Sequence, residues 1–506
     1  MNELLRNLKE QSNVTRTQNG AVTYASTMTL LYDMFAQGGA MRGASDEDCI
    51  LMFKRAYEEN PTMALKCLFY LRDVRGGQGE RRFFRVCLKW LASTHPEEVE
   101  SLIYLIPQYG RYDDLFELIG TPIEDSMMGF IKYVIEKNED HLVYKWMPSI
   151  NASSRNTQAR GRLFARAFGM TEREYRKMLS EGRKACHLVE TLMSQNKWDQ
   201  IAFDKLPSRA GILYSKAFAR REETAARYAA FMSNTKTKVN AGVLYPYEVV
   251  KKARDVMSDT RWYYVTRRNV SLDDVDRLAA NKYWDNLTDY FNGASLNALC
   301  VCDTSGSMLH GYGSNSEIAP IDVAIAISLY TAERANGPFK NHFISFSSRP
   351  YLIETAGVDF CDKVYRIYER NLCENTNIEA TFDLVLNTAI ANHLSQDDLP
   401  ETLIVVSDMQ FDAGYCRYGR VTTLMESIEA KWKAHGYKMP KLIYWNVNAA
   451  SGGGNIPMKD KDGVTYVSGA SPSIFTSVLT GKTGQELMYD VLLAERYAPI
   501  VSIYNG

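Results

Sequence analysis

Asp303-Thr304-Ser305-Gly306-Ser307 follows directly on Leu296-Asn297-Ala298-Leu299-Cys300-Val301-Cys302, a run apolar nearly throughout. Such a run suits the interior of a parallel sheet covered by helices on both faces. The loop leaving its C-terminal end opens into the crevice where open α/β sheets bind ligands. A hard cation such as Mg²⁺ takes oxygen ligands in near-octahedral geometry. One carboxylate and two hydroxyls on alternate residues, Asp303, Ser305 and Ser307, can converge on it while waters fill other positions. Mn²⁺ and Ca²⁺ suit the same oxygens. Later loops of the sheet supply two more candidates in order. Thr376 lies in the polar turn Asn375-Thr376-Asn377, before the helical pattern Glu379 to His393, and Asp408 ends the β-branched run Thr402 to Ser407.

This set resembles the metal-ion-dependent adhesion site (MIDAS) of von Willebrand factor A domains. Asp303, Ser305 and Ser307 match its D-x-S-x-S loop, Thr376 its threonine and Asp408 its third-loop aspartate. The resemblance implies a Rossmann-like domain with a mostly parallel sheet and a bound divalent cation. An open coordination position on that ion would accept a partner's carboxylate or a phosphate oxygen. The competing expectation is an A-type fold with a degenerate site, Asp303 merely capping a helix.

The elements that must carry these residues follow from length and pattern. At 506 residues the chain exceeds one core, so two or three domains are expected. With 45% hydrophobic, 11% aromatic and 24% charged residues it reads as an ordinary soluble globular protein. Met1 to Asn13 is charged and lacks an apolar core segment, and no apolar stretch approaches a membrane span. Nine cysteines scattered singly predict reduced thiols and a cytoplasmic location, with Cys300 and Cys302 in the core.

Net charge is −1, but the halves differ. Residues 297–506 hold 16 Lys+Arg against 23 Asp+Glu, a balance of −7, which leaves 43 against 37, or +6, in residues 1–296. The basic half is helical by pattern, as in Glu47 to Tyr57, Met63 to Leu71, Arg82 to Leu91, Val99 to Ile106 and Leu115 to Ile119, with breaks at Asn60-Pro61, Gly76-Gly77, His95-Pro96, Pro107 and Gly120. Short helices in succession predict an irregular, HEAT-like α-solenoid over about residues 1–290 and an α/β domain over 291–506.

Residues 151–227 carry 16 basic against eight acidic side chains. Within them Arg155, Arg160, Arg162, Arg166, Arg173, Arg176, Lys205 and Arg209 are candidate RNA contacts by charge alone, and Phe164, Phe168, Tyr175 and Tyr214 are candidate stacking surfaces for bases. The competing expectation is a solvated helical face over buried aromatics.

Tyr109-Gly110-Arg111-Tyr112-Asp113-Asp114-Leu115, Lys145-Trp146-Met147-Pro148-Ser149 and Lys205-Leu206-Pro207-Ser208-Arg209-Ala210 look like signatures of the TROVE-type helical region. A helical array followed by an A-type domain is similar to the Ro ribonucleoprotein family. That resemblance implies a non-enzymatic RNA-binding protein. In the Ro family the helical ring holds single-stranded ends of misfolded RNAs in its hole and small structured RNAs outside, while the A domain closes the ring and recruits partners.

No catalytic nucleophile is specified. The seven histidines show no H-E-x-x-H, and no G-x-S-x-G appears. Gly481-Lys482-Thr483 lacks the first glycine of a phosphate loop, with Thr at position 476. Asp460-Lys461-Asp462-Gly463 reads as a hairpin turn between the strands Leu442 to Val447 and Val464 to Val467 rather than a calcium loop. Arg75-Gly76-Gly77-Gln78-Gly79 reads as a turn between helices. The leading expectation is Mg²⁺-supported RNA binding. Its rivals are a metal-dependent protein-interaction scaffold without RNA and, more weakly, a metal-dependent nuclease using Asp303 and Asp408, which a hydroxyl-rich single-metal site serves poorly.

Overall fold

Helix caps and helix-breaking prolines divide the first half of the chain. The computed structural model describes Lys9 and residues 12–186, 188–259, 266–309, 319–346, 349–370, 376–412, 423–449, 455–478 and 482–504. Asn375, Gly481 and most of the leading segment 1–11 lie outside the described residues.

The first helices are α1 (Leu30–Gln37), α2 (Asp46–Glu59), α3 (Pro61–Arg72) and α4 (Arg81–Thr94). Ser45 accepts from Asp48 N at 3.0 Å to start α2, and Asn60 accepts from Met63 N at 3.0 Å to start α3, with Pro61 in its first turn. Every residue of α3 from Met63 to Arg72 is buried, so the other early helices pack around it. The expected helix over 99–106 is broken into Pro96–Leu102, a 3₁₀ turn at Ile103–Leu105 and Ile106–Tyr109, and the expected helix over 115–119 is a 3₁₀ turn, Tyr112–Leu118.

That turn holds a charge network. Asp114, fully buried, accepts from Arg72 Nε at 2.8 Å, Arg85 Nε at 2.6 Å and Arg111 N at 2.9 Å. Asp113 receives Arg111 at 2.6 Å and Arg85 at 2.8 Å, and the Arg111 guanidinium lies 4.0 Å over the Trp146 ring. A side chain on Gly110 would put its Cβ 2.3 Å from Asp114 Oδ2, so only glycine allows the carboxylate this close to the backbone. The motif from Tyr109 to Leu115 is therefore a packing device.

Further along come α5 (Arg155–Ala167), α6 (Glu172–Ala185), α7 (Pro246–Met257) and α8 (Val275–Asp285). Residues 242–245 line one small cavity together with Val74, Arg75 and Gly77, so the helical path returns to its own beginning.

The second half contains a six-stranded sheet. Its strands are β3 (Ala298–Asp303), β4 (His342–Phe346), β5 (Leu352–Glu354), β6 (Thr402–Ser407), β7 (Lys441–Asn446) and β8 (Val464–Ser468), following a leading hairpin of β1 (Val14–Arg16) and β2 (Val22–Tyr24). The order is β5-β4-β3-β6-β7-β8, parallel except for β5. β3 and β6 are buried throughout, as apolar runs covered on both faces must be. Strand order reverses between β3 and β6, and the carboxyl ends of those two strands form the switch-point crevice. The Asp460–Gly463 hairpin turn is a misreading. β7 and β8 pair in parallel, so the chain between them crosses back to the starting edge.

The two halves are bolted together at both ends of the helical path. Near its start, buried Asp73 accepts from Arg496 Nη2 at 2.7 Å and Tyr497 Oη at 3.0 Å, and Tyr466 N donates to Tyr32 Oη at 2.9 Å. Near its end, Arg254 of α7 meets Asp322 of helix α9 (Pro320–Arg334) at 2.8 Å, and Arg277 of α8 meets Asp359 at 2.7 Å and Asp362 at 2.8 Å. Among the described residues no helix is long and apolar enough to cross a membrane. Cys300 and Cys302 are buried in β3, and every described cysteine is unbridged.

Candidate cation site and cationic cleft

Register places the acidic residues. Cys302 pairs with Val406, so Asp303 and Ser407 end adjacent strands side by side. Ser407 Oγ donates to Asp303 Oδ2 at 2.5 Å, and Ser305 N donates to Asp303 Oδ1 at 2.9 Å, which folds the loop back on its first residue. Ser305 and Ser307 share a hydroxyl contact at 3.1 Å, and the Ser307 hydroxyl bonds Asp408. Asp408 also accepts from Gln410 N at 3.1 Å. Met409 follows with φ of +62°, a left-handed turn that holds Asp408 at the strand end.

Asp303 is fully buried and Asp408 is 3% exposed. Burial, and then the neighbouring Asp408 charge, push the Asp303 carboxyl well above the usual carboxylate range, and burial pushes Asp408 the same way. Neither has an ion-pair partner among the described residues. Two neighbouring buried carboxylates with no basic partner among the described residues, in a set made of oxygens alone, suit a hard divalent ion. No group of three or more His, Cys, Asp or Glu that could hold a metal occurs among the described residues, so an ion beside the acidic pair would take its other described ligands from hydroxyls.

Thr376 is buried, but its described contacts lie with the segment beyond Asp408 rather than with the serine loop. Its Oγ1 donates to Asp412 Oδ1 at 3.0 Å and accepts from Asn19 Nδ2 at 2.8 Å. Sequence reasoning missed Asn19 and Ser407. The hydroxyl next to Asp408 was a visible signal for Ser407. For Asn19, Asn-Gly between the Val-Thr pairs at 14–15 and 22–23 signals a hairpin turn, but nothing local says where it docks.

The basic residues fall into separate settings. Helix α5 has four arginines and no acid. Its inner face is Gly161, Phe164 and Ala165, continued by Phe168, a spacing that turns one stripe inward. Phe164, Phe168 and Tyr175 are buried and pack on one another, so they offer no face to a base, and half-buried Tyr214 bonds Glu190 at 3.3 Å. The stacking expectation fails for the three buried rings because the spacing that could interleave with cations is also the spacing of a core stripe.

Arg160 and Arg166 line a cleft of about 370 Å³ together with Lys89 of α4, Glu117 and Asn156. Lys89 was missed, since a lone lysine in an amphipathic helix carries no signal. Arg155, Arg166, Arg173 and Lys205 are exposed, and these four and Arg160 have no ion-pair partner among the described residues. Arg162 pairs with Glu172 at 3.0 Å, Arg176 donates to Glu172 O at 3.2 Å, and Arg209 pairs with Glu248 of α7 at 3.2 Å. The structure thus gathers two of the eight predicted contacts into one cleft and leaves Lys205 and Arg209 on a different segment.

The architecture is a returning helical path fastened to a doubly wound sheet, with an oxygen-lined crevice on one half and a cationic cleft on the other. The chain belongs to the family described as "Domain of unknown function (DUF2828)", whose model matches residues 17–160 and 149–293. A second model, "Domain of unknown function (DUF7788)", matches residues 297–494. An uncharacterized protein of Acanthamoeba polyphaga mimivirus is 26% identical over 520 residues, covering 93% of this chain and 85% of that one. Among solved structures, the Ro (RSR) protein of Deinococcus radiodurans aligns with a TM-score of 0.49 at 13% identity, covering 93% of this chain and 100% of that one.

Proposed function

We propose that this chain is a non-enzymatic, cytoplasmic RNA-binding protein that holds phosphates in the Lys89–Arg160–Arg166 cleft. The observation that carries this reading is the cleft itself: three cations from two helices line it against a single carboxylate, Glu117, which itself lies 3.5 Å from Arg85. Cations held at a concave surface with no ion-pair partner among the described residues favour a polyanion. The choice of RNA rests on the TROVE-like motifs of the sequence. With three of the four predicted stacking rings in the core, affinity comes mainly from phosphate contacts and is strongly salt-dependent.

In the same reading the crevice at the carboxyl ends of β3 and β6 holds Mg²⁺ through Asp303, Ser305, Ser307 and Asp408, with Thr376 from the neighbouring loop. When bound, the ion would supply a positive centre open to an oxygen anion from an acidic protein partner. Fluorescence anisotropy of labelled single-stranded RNA tests the first half. Wild-type protein should bind, and Arg160→Glu/Arg166→Glu should lose binding while keeping its circular dichroism. Equal binding by the two proteins would reject the cleft, and absence of binding by both would favour a protein-interaction scaffold.

A further inference from the structure

The turn of the leading hairpin, more than 350 residues from Thr376 in sequence, lies directly on the threonine loop. Gly20 N donates to Thr17 O at 3.0 Å and Gly20 takes φ of +90°, which closes the turn and points Asn19 away from its own strands. The hairpin is anchored along its length. Tyr24 and Ile456 exchange backbone hydrogen bonds at 2.9 Å each way, Tyr24 Oη donates to Glu426 at 3.0 Å, and Thr17 Oγ1 donates to Phe411 O at 2.7 Å. Gln18 N donates to Gln410 Oε1 at 2.8 Å, and Gly20 bridges Asp412 in antiparallel fashion.

From this platform one amide group spans two loops. Asn19 Nδ2 donates both to Thr376 Oγ1 at 2.8 Å and to Gln410 O at 2.6 Å. Gln410 stands two residues beyond Asp408 and its N–H already holds Asp408 Oδ1. The two protons of the amide therefore fasten the threonine loop to the aspartate loop. The Thr376 hydroxyl gives its proton to Asp412 and one lone pair to Asn19, which leaves it one lone pair, the form in which a hydroxyl can ligate a cation.

We propose that Asn19 is a positioning residue of the cation site, brought in from the start of the chain to fix the Thr376 hydroxyl and its distance from Asp408. This rests on the reading of that site as a cation site. Ligand-orienting partners of this kind change metal affinity by about 10–100-fold when removed. By reciprocity the cation should tighten hairpin docking by the same factor that the hairpin tightens the cation.

The experiment is Mn²⁺ binding to the full-length protein, followed by the electron paramagnetic resonance signal of unbound Mn²⁺. Wild type should bind one ion that Asp303→Ala loses. Asn19→Ala should bind about 10–100-fold more weakly, whereas Tyr24→Phe, which loosens the hairpin away from Thr376, should match wild type. Because Asn19 acts through the threonine, Asn19→Ala/Thr376→Ala should be no weaker than Thr376→Ala alone. Trypsin cleavage after Arg16 should be slowed by Mn²⁺ in wild type and not in Asn19→Ala. Unchanged affinity in Asn19→Ala, or equal weakening in Asn19→Ala and Tyr24→Phe, would overturn the role of Asn19 while leaving the cation site standing. Absence of Mn²⁺ binding by wild type would overturn both.

Discussion

Replacing Asp114 by alanine should be among the costliest single changes in the helical half. Its carboxylate is fully buried and neutralises Arg72, whose side chain is 2% exposed. Arg85 keeps Asp113 at 2.8 Å and Glu117 at 3.5 Å when Asp114 is gone, so the uncompensated charge is that of Arg72. Removing one partner of a buried ion pair costs about 3–5 kcal/mol, and the orphaned Arg111 N–H adds about 1 kcal/mol, for about 4–6 kcal/mol in all. By contrast Lys54→Ala, which breaks a pair with Glu58 whose members are 50% and 63% exposed, should cost under about 0.5 kcal/mol. Urea unfolding followed by tryptophan fluorescence is the assay, since Trp146 stacks under Arg111 in the same network. Adding Arg72→Met to Asp114→Ala should recover at least half of the loss, because the buried charge disappears with the arginine. A single variant within about 1 kcal/mol of wild type would refute the assignment of Asp114 as the hub of the network.

Gly110→Ala should act on the same hub, forcing the carboxylate off the backbone and lowering the urea midpoint in the same direction as Asp114→Ala, whereas Gly120→Ala, where a Cβ would meet nothing within 4 Å, should show only the smaller cost of its left-handed φ. Asp303→Asn should separate charge repulsion from cation binding. In chelator the variant should melt above wild type, because one of two buried like charges is gone, and saturating Mg²⁺ should raise the melting temperature of wild type alone. A Mg²⁺ shift of equal size in both proteins would contradict the site.

The crevice was legible because its parts are local. Apolar runs announce β3 and β6, a parallel sheet puts functional loops at their carboxyl ends, and Asp303 and Asp408 fall there by register. What could not be read is what chain reversal brings together. Asn19 signals a turn but not its destination, and Lys89 stands alone in an amphipathic helix until the fold brings α5 to the same cleft. Asp460 to Gly463 has turn chemistry, yet turn residues do not reveal whether the flanking strands run antiparallel or parallel. Phe164, Phe168 and Tyr175, spread over α5 and α6, show the same ambiguity, since rings interleaved with arginines at helical spacing fit a stacking surface and a core face equally well.

The salt dependence of RNA binding tests the central claim most directly. If Lys89, Arg160 and Arg166 each neutralise one phosphate of a single strand, the logarithm of affinity should fall with the logarithm of salt with a slope of about −2.1, or about 18-fold between 50 and 200 mM. In Arg160→Ala/Arg166→Ala the slope should shrink to about −0.7, or about 3-fold over the same range. A variant slope equal to that of wild type, or no RNA binding by wild type at 50 mM salt, would contradict the account.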